Sequence, residues 1–178
     1  MTYQPLSSLL LTLCSSFFPF LLYHSYNLSH LSFILSFSSF YQSANAKIYE
    51  LESKIEFVCA DAYHILGSLA TDDTHADTYC NTGVDIVLLA PPWGGPSYCL
   101  SKDFDMYTDF PSGNGLELVV EAAKVSKNIV CVFPRNIMIS QVTEMAMAID
   151  SPCRVEQVYL YGKHKLSVLY FGSLFCSV

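Results

Sequence analysis

The apolar run Asp85-Ile86-Val87-Leu88-Leu89 passes directly into Ala90-Pro91-Pro92-Trp93-Gly94-Gly95-Pro96-Ser97-Tyr98. A β-branched and leucine-rich run that closes in two prolines reads as a buried strand with an abrupt carboxyl end. In an open α/β sheet, ligands bind just outside the carboxyl ends of the strands. The only tryptophan of the chain stands at that place. Held on a stiff proline-glycine turn, its ring is set to stack on a flat ligand.

From Ala44 onward, helix and strand patterns alternate, which signals a parallel α/β sheet. Residues 55–59 alternate and end at Ala60-Asp61, a strand with an acid at its tip, and 62–69 form a short helix. Residues 71–83 are polar and turn-rich. After the tryptophan turn, 101–114 read as an irregular excursion. Residues 115–125 form a helix with Leu116, Val119, Val120 and Ala123 on one face. Residues 128–133 form a second buried strand, closing on Pro134-Arg135-Asn136. Ser140 caps a helix to about Ile149, and 154–160 and 166–171 form a closing hairpin joined by residues 161–165.

Composition narrows the function classes. A formal charge of −7 argues against a broad basic surface that tracks a nucleic-acid backbone. It leaves recognition of one nucleotide in a pocket open. The seven cysteines are scattered without a C-x-x-C pair, so neither a zinc site nor a disulfide framework is expected. Free thiols indicate a reducing compartment.

The charge distribution is uneven. Residues 1–46 contain no Asp, Glu, Lys or Arg. Residues 1–43 thus form a charge-free hydrophobic segment unlike 44–178. A signal peptide would need a positive amino-terminal region. A membrane helix would need about 20 predominantly apolar residues, and Pro19 interrupts the best stretch. Ser, Phe, Leu and Pro share codons with a pyrimidine at the second position, so the leading reading is non-coding sequence translated through an incorrect gene model.

The run from Asp85 to Tyr98 resembles the signature of the trimethylguanosine synthases, a family of RNA cap guanine-N2 methyltransferases. Asn45-Ala46-Lys47-Ile48-Tyr49, Lys54 to Asp61, Asn128 to Asn136, and Lys165-Leu166 leading into Tyr170-Phe171-Gly172 fall in the family's order. The resemblance covers residues 44–178. It implies a Rossmann-like class I S-adenosylmethionine-dependent methyltransferase fold, N-terminally truncated, with 44–178 as a partial catalytic domain. The implied reaction converts a 7-methylguanosine cap to 2,2,7-trimethylguanosine, with S-adenosylmethionine as methyl donor and no metal. The implied partner is m7G-capped small RNA in the nucleus, with the cytoplasm as a second location; no membrane is expected.

Carried residue by residue, the resemblance gives Trp93 stacking on the methylated base and Pro91 a main-chain role beside the reacting amine. Arg135 and Asn136 would hold the cap phosphates. Asp61, Ala90 and Pro91 would line the cofactor site, with a helix cap as the competing role for Asp61. Two positions depart from the family, which usually has Ser at Ala90 and Asp at Ser97. No G-x-G-like motif precedes residue 90, so the first strands of the sheet and the donor loop are expected to be missing and activity impaired. The alternative is a non-catalytic cap-binding relative that has lost the donor site.

Overall fold

The computed structural model describes residues 9–14, 31–35, 46–50, 55–58, 61–70, 84–94, 98, 100–110 and 114–176. The loop read at 71–83, Cys59 and the Gly95-Pro96-Ser97 part of the motif lie outside them. In chain order the strands are β1 Leu9–Cys14, β2 Leu31–Leu35, β3 Ile55–Val58, β4 Val84–Ala90, β5 Ile129–Pro134, β6 Cys153–Leu160 and β7 Lys163–Phe171. The helices are α1 Ala62–Ala70, α2 Gly115–Val125 and α3 Ile139–Ala148.

One sheet runs β3-β2-β1-β4-β5-β7-β6. The pairs from β3 to β5 are parallel, and β7 is antiparallel to both β5 and β6. Sequence reasoning leaves the two places between β3 and β4 empty. In the structure they are taken by β1 and β2, both from the charge-free segment. Central strands of a parallel sheet are covered on both faces and read as continuous apolar runs. Leu9-Leu10-Leu11-Thr12-Leu13-Cys14 has that character.

The larger core lies on one face, where Val87, Leu89, Ile129, Cys131, Phe133, Leu169 and Phe171 meet Leu118, Val119, Ala122 and Val125 of α2 and Met145 of α3. The buried stripe of α2 is Gly115, Leu118, Val119, Ala122 and Val125, turned from the expected one, while Leu116 and Ala123 pack at its margin. Asn114 caps α2, its side chain accepting from Leu116 N at 2.9 Å and Glu117 N at 3.4 Å. Ser140 is not a cap: α3 begins after Met138, which has no side-chain capping bond. A smaller cluster of Leu88, Ala90, Val132, Leu166 and Val168 occupies the other face, and Trp93 packs against both clusters.

Candidate active site

Strand order reverses between β1 and β4, and the crevice beside such a reversal is where open α/β sheets bind ligands. The pair Cys14↔Ala90 marks that point at the carboxyl edge. Pro91, directly beyond, is buried, and Pro92 is exposed.

The prolines create a deficit that the tryptophan fills. Val87 N–H donates to Asn128 O at 3.0 Å, so by the two-residue alternation Val132 O also faces β4, opposite position 91. Pro91 has no N–H to offer. The indole Nε1–H of Trp93 donates there instead, at 3.2 Å. Gly94 follows with φ 79°, a left-handed conformation that turns the chain away from the sheet. Tyr98 returns to meet the indole edge-on, with centroids 5.4 Å apart and planes at 85°. Trp93 is thereby fixed along one edge and remains only partly buried.

Arg135 and Asn136 follow β5 at the same edge. Arg135 is exposed and forms no ion pair among the described residues. Asn136 faces inward: its amide donates to Tyr98 O and Ser101 O, both at 3.1 Å, and its Oδ1 is buried without a partner. Its own carbonyl accepts from Phe104 N at 2.8 Å. Asn136 therefore binds the turn that carries Tyr98.

Sequence reasoning missed the anchors of residues 101–110. Gln141, buried at the start of α3, accepts from Met106 N at 3.0 Å and donates to Asp105 Oδ1 at 2.8 Å. The Tyr107 N–H, then this Gln141 bond, hold the Asp105 carboxyl below its usual range. Tyr107 OH donates to Glu144 at 2.6 Å, which pushes the phenol up to about 12. A lone Gln and a Tyr–Glu pair 37 residues apart leave no local sequence signal.

On the donor side the residues do not match a methyl-donor site. Asp61 is exposed and caps α1, Oδ1 accepting from His64 N at 3.1 Å. Ala90 offers no polar side-chain atom. Ser15 follows β1 and Ser36 follows β2, and residues 15–30 and 36–45 contain neither Gly, Asp nor Glu. A donor site of this fold class uses a close-approach glycine turn after the first strand and a ribose-binding acid after the second. Neither residue type stands at those tips. Among the described residues no group of three His, Cys, Asp or Glu could hold a metal, and no helix is long and apolar enough to cross a membrane.

A seven-stranded sheet of this order, with an antiparallel closing hairpin and a Pro-Pro-Trp turn at the reversal, defines the class I S-adenosylmethionine-dependent methyltransferase fold. The family model described as RNA cap guanine-N2 methyltransferase matches residues 29–174, and the chain belongs to that family. The match includes β2 and every element after it. Among solved structures, the chain is similar to the delta-N METTL16 methyltransferase domain at TM-score 0.50 and 13% identity, over 80% of this chain and 61% of that one. It is similar to phosphoethanolamine N-methyltransferase 1 of Haemonchus contortus at TM-score 0.53 and 11% identity, over 93% and 37%. An uncharacterised protein of Listeria monocytogenes matches at TM-score 0.50 and 10% identity, over 92% and 60%. The chain spans less than two thirds of the length of each of these three.

Proposed function

We propose that this site receives the 7-methylguanosine cap of a small RNA, and that its reaction class is methyl transfer from S-adenosylmethionine to the guanine N2 amine, impaired in this chain. The observation that carries this reading is the Trp93 indole, fixed by Val132 O at the carboxyl end of β4. A 7-methylated guanine is cationic, so an indole face adds a cation–π attraction to stacking. Main-chain groups at Pro91 would orient the exocyclic amine. Arg135, exposed at the tip of β5, would meet the cap phosphates through its planar fork.

A second reading is a cap-binding relative without transferase activity. The tips of β1 and β2 favour it, because neither is followed by the glycine or acid of a donor site. Small nuclear RNA as the capped partner and a nuclear setting belong to the same proposal.

Trp93 is the only tryptophan, so its intrinsic fluorescence reports directly on a stacked base. Titration with m7GpppG should quench it at concentrations at least about five-fold below those needed for unmethylated GpppG, the discrimination that a cation–π gain of about 1 kcal/mol provides. Equal quenching by both caps would refute cap recognition. With the cap bound, transfer of labelled methyl from S-adenosylmethionine to N2 separates the impaired enzyme from the purely binding relative.

A further inference from the structure

β7 begins well beyond the edge at which β5 ends. Pro134 pairs with Leu166, yet the hairpin continues through Tyr159↔His164 and Leu160↔Lys163 before turning. At roughly 3.3 Å per residue, its tip stands about 10 Å above the carboxyl edge. It rises beside Arg135, the next residue after Pro134.

The turn itself is unusual. Tyr161 and Gly162 have φ of 50° and 71°, the pattern of a two-residue type I′ turn, which favours Asn-Gly. A bulky aromatic in left-handed conformation is a genuine outlier. Strain of this kind persists where it serves a site. Here it displays the Tyr161 ring at 94% exposure. Beside it, Tyr159 stacks on His164 at 5.2 Å and 23°, and Lys163 and Lys165 are exposed. From Gln157 to the end of the chain there is no Asp or Glu. In a chain of net charge −7, three of its nine Lys and Arg therefore sit at one edge with two exposed tyrosines.

We infer that the β6–β7 hairpin tip is a single-stranded RNA contact, which receives the nucleotides that follow the cap. Lys163 and Lys165 meet phosphates, and Tyr161 supplies a stacking platform for a base. Charge selects RNA over a protein partner, since an acid-free tip with two lysines repels nothing on a phosphate chain. The inference rests on the cap reading only for the identity of the RNA end.

The test uses the full chain and three probes: an m7G-capped RNA of twelve nucleotides, the same RNA uncapped, and m7GpppG. In K163E/K165E and in Tyr161→Asn, affinity for both oligonucleotides should fall by about five-fold or more, as loss of two phosphate contacts or one stacked base predicts. Affinity for m7GpppG should stay unchanged. The salt dependence of oligonucleotide binding should flatten by about one logarithmic unit in the double variant. Tyr161→Asn also relieves the turn, so it should raise the unfolding temperature while it weakens RNA binding; a merely structural tyrosine would not show that opposition. If wild type prefers the cap and the variants lose no oligonucleotide affinity, the hairpin inference is overturned and the cap reading stands. If capped and uncapped RNA bind equally and both weaken in the variants, the hairpin stands and the cap reading falls. Absence of RNA binding by the wild-type chain, or retention on a protein partner that the variants abolish while RNA binding persists, overturns the inference.

Discussion

The indole N–H of Trp93 takes the sheet rung at Val132 O that Pro91 leaves vacant, at 3.2 Å. Strand termination and ring placement are therefore one event. The Pro-Pro pair ends β4 and exposes an acceptor, and the aromatic residue two positions later both satisfies it and becomes fixed. A ring held this way loses little orientational freedom when a flat ligand stacks on it.

Removing only the donor separates these roles. Trp93→Phe keeps a ring but leaves Val132 O without its partner, and should cost about 1–3 kcal/mol of stability, the penalty of an unsatisfied acceptor. Urea denaturation followed by circular dichroism measures this. Under the proposed function, Trp93→Phe should weaken m7GpppG binding and Trp93→Ala should weaken it further, by calorimetric titration. A phenylalanine variant as stable as wild type would show that the rung carries no weight.

Asn136 offers a sharper contrast. Asn136→Ala loses two donors to Tyr98 O and Ser101 O, about 1–3 kcal/mol where the carbonyls stay buried. Asn136→Asp should be worse, since it turns a carboxylate oxygen toward two carbonyl oxygens. The readout is the order of unfolding temperatures, wild type above Ala above Asp. A phosphate-binding role alone would leave both variants close to wild type in stability and weaken only ligand binding.

Much of this site follows from short-range chemistry and some of it does not. The stop at Pro91-Pro92, the helix at 115–125 and the strand before Arg135 each follow from a local pattern of apolar and breaking residues. β1 and β2 are harder to read, because a strand enclosed by parallel neighbours needs no charge and loses the contrast that marks an element. The inward turn of Asn136 depends on carbonyls 35 and 38 residues away, and no local pattern encodes that. The hairpin was expected to close through residues 161–165. It pairs further because Lys163 and His164 serve as strand residues at a polar, exposed tip.

Gly172 ties the closing strand back to the start of β5. Its φ is 105°, and a Cβ there would lie 2.5 Å from both Asn128 Oδ1 and Lys127 O. Two of these obstacles (Lys127 O and the Asn128 backbone) cannot move without shifting the chain. Gly172→Ala should therefore destabilise by more than about 2 kcal/mol, combining backbone strain with overpacking. Gly67→Ala is the control, since its Cβ would meet nothing within 4 Å and its helical position favours alanine. Comparable unfolding temperatures for the two variants would contradict the packing seen at Gly172.

The Tyr107–Glu144 tether makes an alkaline prediction. Its bond to Glu144 raises the phenol from 10.0 to about 12 in the folded protein. A group whose folded value is raised gives stability that is fully present below the unfolded value and is lost as pH rises through the folded one. The tether should thus hold the 101–110 segment onto α3 undiminished below about pH 10 and fade between about pH 10 and 12. In Tyr107→Phe that alkaline component should vanish, so the difference in unfolding temperature between wild type and variant should be constant below pH 10 and shrink above it. Thermal scans at pH 8, 10 and 11 check this, and a difference that grows with pH would show that the phenol is not held by Glu144.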